Sequence, residues 1–248
     1  AASIGAGTTV NVTMAADVPP QIAAVATQQR HIALLNPLGF IFARQQNPVV
    51  DVVALAERIG PDGKPGPTYR AQIYTSKKTG IRTIADVKGH SLGFGVPFST
   101  SNFLVPAALL KAKHRLFSVS SIAFLGGHQI VAKAVYDGKV DVGAGHDGVL
   151  LDLAKAYGYG DAEDRMLRLC WTDPIPSDPV VVNIPDDAER GHVKDAVVAA
   201  GSDPDVIERS IAVFWGKATG LAATSAAEYE PLNGFLTSMS LGQDDLLG

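Results

Sequence analysis

Three times between residues 90 and 157 a short apolar segment leads through a glycine-bearing turn into residues at helical spacing, without any internal sequence repeat. His90 to Phe94 leads through Gly95 and Pro97 to Leu104, Ala107, Ala108 and Lys111. Ile122 to Phe124 leads through Gly126-Gly127-His128 to a helix ending at Asp137. Val140 to Ala144 leads through Gly145-His146-Asp147-Gly148 to a helix over Val149 to Tyr157. Strands that alternate with helices of about ten residues predict an α/β fold with mostly parallel sheets and crossover helices on their faces.

The same grammar appears upstream. His31 to Leu35 reads as a buried strand, and Asn36-Pro37 supplies a cap and a first-turn proline for a helix over Leu38 to Arg44. Pro20 opens a helix through Gln29. Thr8 to Met14 alternates as a strand does, and Val49 to Ala56 reads as another strand. Tyr69 to Thr75 is extended, and Thr83 caps a short helix from Ile84 to Lys88. Downstream, Arg165 to Thr172 reads as a strand, Asp173 to Pro179 as a stiff proline-bound connector, and Val180 to Asn183 as extended chain. After that the pattern is helical, over 186–200, 203–216 and 229–239.

In such sheets ligands bind beyond the carboxyl ends of the strands. The first of the three turns carries Ser99, Thr100 and Ser101 at a helix N-terminus, where unpaired backbone N–H groups and the positive dipole end favour an anion. An N-cap serine in an ordinary loop would explain one of these hydroxyls. The other two turns follow strands in the same way, so His128 and the His146-Asp147 pair are predicted to join the hydroxyls at one crevice. Taken alone, His128 fits a solvated cap, Asp178 a turn residue and Tyr69 a half-buried strand residue.

The chain has 248 residues, enough for one large domain or two lobes with separate cores. A net charge of -4 and the lack of any basic cluster argue against nucleic acid. No apolar run approaches the roughly 18 residues of a membrane span, and no basic start with an apolar core marks a leader peptide. The single cysteine, Cys170, falls in an apolar run and reads as a buried strand residue; it excludes an internal disulfide. There is no Gly-x-Ser-x-Gly elbow, no His-Glu-x-x-His, no metal-spaced cysteine pair and no Walker loop. No catalytic residue, metal site or cofactor is expected.

Tyr69 to Pro106, with Ile84-Ala-Asp-Val-Lys-Gly89, Leu92-Gly-Phe-Gly95 and Phe98-Ser-Thr-Ser-Asn-Phe-Leu-Val-Pro106, resembles the phosphonate/phosphite-binding proteins of bacterial ABC importers. Gly126 to Val142 is similar to that family's histidine turn, helix and strand, and Trp171 to Pro179 to its second interlobe crossing. The resemblance implies a type II periplasmic binding protein with two lobes joined by a two-strand hinge, divided as 1–68, 69–179 and 180–248. It implies that Ser99, Thr100, Ser101 and His128 grip the phosphonate oxygens, that Tyr69 adds a hydroxyl, and that Asp178 faces the substituent. It further implies a small phosphorus oxyanion as ligand, a membrane permease as partner, a monomer, and a periplasmic or extracytoplasmic location with a lipid anchor left open.

In aminophosphonate binders of the family a tyrosine follows the aspartate before the first helix, whereas Val18 follows Asp17 here; their second carboxylate falls near Gly148, beside Asp147. The expected ligand is therefore phosphite or a short alkylphosphonate. An acceptor, either Asp178 or the unprotonated nitrogen of His128, could take a P–OH proton that sulfate lacks. An enzyme on the same fold, of the pyrimidine-precursor type, and a sensory ligand-binding domain of a receptor are the rival readings.

Overall fold

The computed structural model describes residues 9–60, 62–215 and 218–247. In chain order its main elements are α1 (Val18–Ala26), β1 (Ile32–Leu34), α2 (Pro37–Gln46), β2 (Asp51–Ile59), β3 (Pro65–Gly66), β4 (Thr68–Ser76), β5 (Ser91–Phe94), α3 (Val105–Ala112), β6 (Ser121–Phe124), α4 (His128–Tyr136), β7 (Val142–His146), α5 (Val149–Ala156), α6 (Ala162–Arg165), β8 (Met166–Pro176), β9 (Pro179–Val182), α7 (Asp187–Ala200), α8 (Pro204–Val206), α9 (Ala212–Trp215), β10 (Ala218–Ala223), α10 (Pro231–Met239) and α11 (Gln243–Leu247).

The chain separates into two compact units. Residues up to 68 and 176–233 form the first; residues 69–175 and those from 234 onward form the second. The return to the first unit thus comes at 176, not after 179, and the last segment leaves it again. The chain passes between the units three times where two strands were expected.

In the first unit the sheet order is β1-β9-β2-β10, with β3 beside β2, and every paired strand is antiparallel. This corrects the expectation of a mostly parallel sheet. Because β1 and β2 are each antiparallel to β9, they run the same way, as a strand–helix–strand crossover requires. The late strand β9 inserts between them and turns parallel neighbours into antiparallel pairs. The core gathers Val53, Ala54 and Ala56 of β2 with Val180 and Val182 of β9, against Val193, Ile207 and Trp215. On another side Tyr229, fully buried, meets Phe40 edge-on at 5.1 Å and donates its hydroxyl to the Ser177 carbonyl at 2.8 Å.

Residues 9–14 form no strand, and Val12 is 83% exposed. Alternation supplies a pattern for pairing, and here no neighbouring strand takes it up. β10, which lies between the helices expected over 203–216 and 229–239, pairs with β2 from Ala218↔Arg58 to Ala223↔Ala54. β8 continues through Pro174 and Pro176, where a connector was expected. It lies at the edge of its sheet, where a missing N–H costs little. Cys170 is half-buried in β8, and burial pushes its thiol up.

The second unit has the order β6-β5-β7-β4-β8. β5 is parallel to both β6 and β7, and β4 is antiparallel to β7. The three strand–turn–helix segments are therefore adjacent, and their carboxyl ends lie along one edge. Tyr74, Val131, Val135, Val149 and Leu153 fill the core beneath them.

Candidate functional site

All three turns at that edge belong to the second unit. After β5 the chain turns at Gly95. A Cβ there would stand 1.7 Å from Asn102 Oδ1 and 2.6 Å from the Gly126 carbonyl, so only glycine fits. Gly126 has φ +106°, which equally requires glycine in the turn after β6.

Ser99 is the cap of the following helix: its backbone is extended and its Oγ accepts from the Asn102 N–H at 3.1 Å. The first turn, Thr100–Leu104, is π-type, with Leu104 N–H reaching the Ser99 carbonyl at 3.0 Å, and it runs directly into α3. The ordinary capping role of Ser99 is thus real, and it leaves the hydroxyl proton available to donate. Ser99, Thr100 and Ser101 are all buried. Phe103 packs edge-on between Phe94 and Phe124, at 5.2 and 4.9 Å, which anchors this turn to β5 and β6.

His128 opens α4. Its Nδ1 receives the Asn102 side-chain amide at 3.1 Å and the backbone N–H of His146 at 3.2 Å. Asn102 joins the hydroxyl turn to His128, so Ser99 to Ser101 and His128 are brought together. The same amide donates to the Ala144 carbonyl at 2.8 Å, which also accepts from the Tyr74 hydroxyl at 3.1 Å. Burial holds the Tyr74 phenol far above its ordinary pKa, so it remains a donor.

His146 ends β7 and stands edge-on to His128, ring centres 4.7 Å apart. Its Nδ1 accepts from Gly148 N–H at 3.1 Å, and its Nε2 lies 3.3 Å from Asp152 Oδ2. Asp147 lies beside it with its side chain 7% exposed and Oδ2 lacking any partner among the described residues. Among the described residues no three His, Cys, Asp or Glu side chains gather as metal ligands.

The remaining two expected residues are Tyr69 and Asp178. Tyr69 is buried at the start of the second unit. Asp178 belongs to the first unit, where Arg58 Nη1 meets its Oδ2 at 2.8 Å and both side chains are 12% exposed. The two acceptors suggested for a P–OH proton are both engaged within the protein: Asp178 by Arg58, and the bare nitrogen of His128 by two donors. Asn102 is the residue that sequence reasoning passed over. Its position directly after Ser-Thr-Ser is visible, but its partners lie a turn, a helix and a strand away.

This parallel βαβ edge gathers a capped helix end, clustered hydroxyls and an imidazole, and the fold is that of the type II periplasmic binding proteins. Solved structures with this fold include a binding protein component of an ABC phosphonate transporter from Pseudomonas aeruginosa (TM-score 0.73, 19% identity, 96% of this chain and 81% of that one). They also include PhnD1 from Prochlorococcus marinus in complex with methylphosphonate (TM-score 0.75, 15% identity, 91% and 84%).

Residues 3–229 match the family described as the periplasmic substrate-binding protein of the phosphonate ABC transporter, and the chain belongs to that family. The phosphonates-binding periplasmic protein of Escherichia coli K12 is 32% identical over 133 residues. That match spans 51% of this chain and 38% of the relative's length.

Proposed function

We propose that this chain is the periplasmic solute-binding component of an ABC importer. In this reading it holds a phosphonate- or phosphite-type oxyanion at the Ser99–Ser101 helix end beside His128 and delivers it to a membrane permease. The observation that carries the reading is the joining of that capped helix end to His128 through Asn102, in a chain of the phosphonate-binding family. Backbone N–H groups, hydroxyl protons and an imidazole N–H are all donors, and donors are what a multiply charged oxyanion requires in place of water. Binding of this kind needs no bond to be made or broken, so the chain acts as a carrier and not as an enzyme.

Several features favour phosphite or a short alkylphosphonate over an aminoalkyl ligand. An ammonium group would need a carboxylate to replace its hydration. Asp178 is already neutralised by Arg58, and Asp17 caps α1 through the Val18 N–H at 2.8 Å. Val18 offers no aromatic face. The Prochlorococcus relative holds methylphosphonate.

A thermal-shift panel of phosphite, methylphosphonate, aminoethylphosphonate, phosphate and sulfate tests the reading. A true ligand at about 100 times its Kd adds about 2.7 kcal/mol of stability. Phosphite or methylphosphonate should give the largest shift, and Ser99→Ala and His128→Ala should each remove most of it. Full shifts in both variants would move the site elsewhere, and turnover of any of these compounds would make the chain an enzyme.

A further inference from the structure

The binding site reading makes His128 a donor to the ligand but leaves open what keeps it one. An imidazole near neutral pH exists in two neutral tautomers and as a cation, and only one nitrogen of the neutral ring is a donor. We propose that Asn102 is the positioning residue of the anion site: with the backbone N–H of His146, it locks His128 as neutral imidazole carrying its proton on Nε2. His128 then contacts the ligand as a donor of fixed direction whose state does not change across the physiological pH range. This inference rests on the site assigned above.

The two donors at Nδ1 set the tautomer. The Asn102 amide cannot be reversed, because its Nδ2 lies 2.8 Å from the Ala144 carbonyl, which can only accept. Reversal would set two oxygens against each other. The amide that meets His128 Nδ1 at 3.1 Å is therefore the N–H side. The second donor on that atom, His146 N–H at 3.2 Å, is backbone and cannot reorient at all. A proton on Nδ1 would point at two other hydrogens. Turning the ring over would replace Nδ1 with a carbon-bound hydrogen against the same donors.

Asn102 is itself held. It is 1% exposed, and its Oδ1 lies where a Cβ on Gly95 would fall, without a hydrogen-bond partner among the described residues. A buried acceptor left unpaired is costly, and the amide is retained for what its other end does.

His146, Asp147, Asp152 and Lys133 are ionisable groups on the elements next to His128. From β7, His146 presents its ring edge at 4.7 Å between centres, with its own Nδ1 occupied by Gly148 N–H. From α5, Asp152 lies 3.3 Å from His146 Nε2, and Asp147 Oδ1 lies 3.9 Å from His146 Nδ1. The hydroxyl turn before α3 contributes Ser99, Thr100, Ser101 and Asn102, none ionisable in this range. On α4, Lys133 is paired with Asp137 farther along the helix.

Long-range proton–nitrogen spectra of ligand-free, 15N-labelled protein test the lock directly, with His128→Gln used to identify the ring among six histidines. His128 should show a protonated Nε2 and a bare Nδ1 from about pH 8 to about pH 5.5. A proton on Nδ1, or two protonated nitrogens with a midpoint near about 6.5, would overturn the proposal. This readout needs no ligand, so it stands or falls separately from the functional reading.

The second arm measures methylphosphonate affinity by calorimetry in wild type and Asn102→Asp, taking the ratio of Kd values so that the ligand's own ionisation cancels. A carboxylate at 102 draws the proton to Nδ1, and above the titration of that pair it leaves Nε2 bare against the oxyanion. The ratio should therefore rise by about tenfold or more between about pH 5.5 and about pH 8. A ratio flat with pH contradicts the proposal. If the carboxylate prevents folding, Asn102→Ala serves: it removes one of the two donors, and the His128 ring should then titrate in the spectra where wild type does not.

Discussion

The two units use similar strand lengths to different ends. In the first, β9 enters between β1 and β2, each paired neighbour is antiparallel, and the strand ends point alternately in both directions. In the second, β6, β5 and β7 are parallel neighbours, so three helix-opening turns share one edge. A parallel arrangement collects helix N-termini on one side, whereas an antiparallel one disperses them. The polar cluster of Ser99, Asn102, His128 and His146 stands on the parallel edge. In the first unit the corresponding polar feature is a closed pair, Arg58 with Asp178.

Substitutions in each unit should expose that contrast. Tyr229→Ala empties a fully buried site in the first unit and removes both the edge contact to Phe40 and the bond to the Ser177 carbonyl. Urea denaturation should show a loss of about 3–5 kcal/mol. A loss below about 1 kcal/mol would mean that this core is not packed as described.

Gly95→Ala strikes the second unit at the polar edge, because the new Cβ must push Asn102 or the Gly126 carbonyl aside. Overpacking of this kind costs about 1–3 kcal/mol. It should also abolish the oxyanion-induced thermal shift, which a purely structural cost would leave in place. Retention of the full shift would place the bound oxyanion away from the Gly95 turn.

The smallest effect concerns Asp141, just before β7. Burial works to raise its pKa, but hydrogen bonds from the Ser91 backbone and hydroxyl, at 2.9 and 2.8 Å, and the nearby His90 outweigh it and hold the carboxyl below its ordinary value. A depressed folded-state pKa contributes stability that is present above the unfolded value near about 3.9 and is lost as pH falls through the folded value. Acid titration should therefore show stability falling below about pH 4, less steeply in Asp141→Asn. An unchanged acid limb in the variant would remove Asp141 from the account.

What could be read from the sequence were the features with local causes. Asn36-Pro37 does cap α2, with Asn36 Oδ1 accepting from Gly39 N–H at 2.7 Å, and Thr83 forms a reciprocal cap with Asp86. The three strand–turn–helix segments were legible because turn glycines and helical spacing are short-range signals. Strand direction in the first unit was not, since the insertion of β9 is decided by packing between segments far apart in the chain. β10, Ala-Thr-Gly-Leu-Ala-Ala, carries little β-branched signal and becomes a strand through its pairing with β2. Residues 9–14 show the converse: a strand-like pattern that pairs with no strand among the described residues. Ser99 and His128 stood out by residue type and position, whereas the role of Asn102 depends on Ala144 and His146, which only the folded second unit brings to it.

The most direct test of the central claim is a crystal structure of the protein grown with methylphosphonate. The account predicts phosphonate oxygens within about 2.7–3.2 Å of the Ser99 and Ser101 hydroxyls and of His128 Nε2. An anion bound away from the 99–101 turn, or one facing a bare His128 nitrogen, would contradict it.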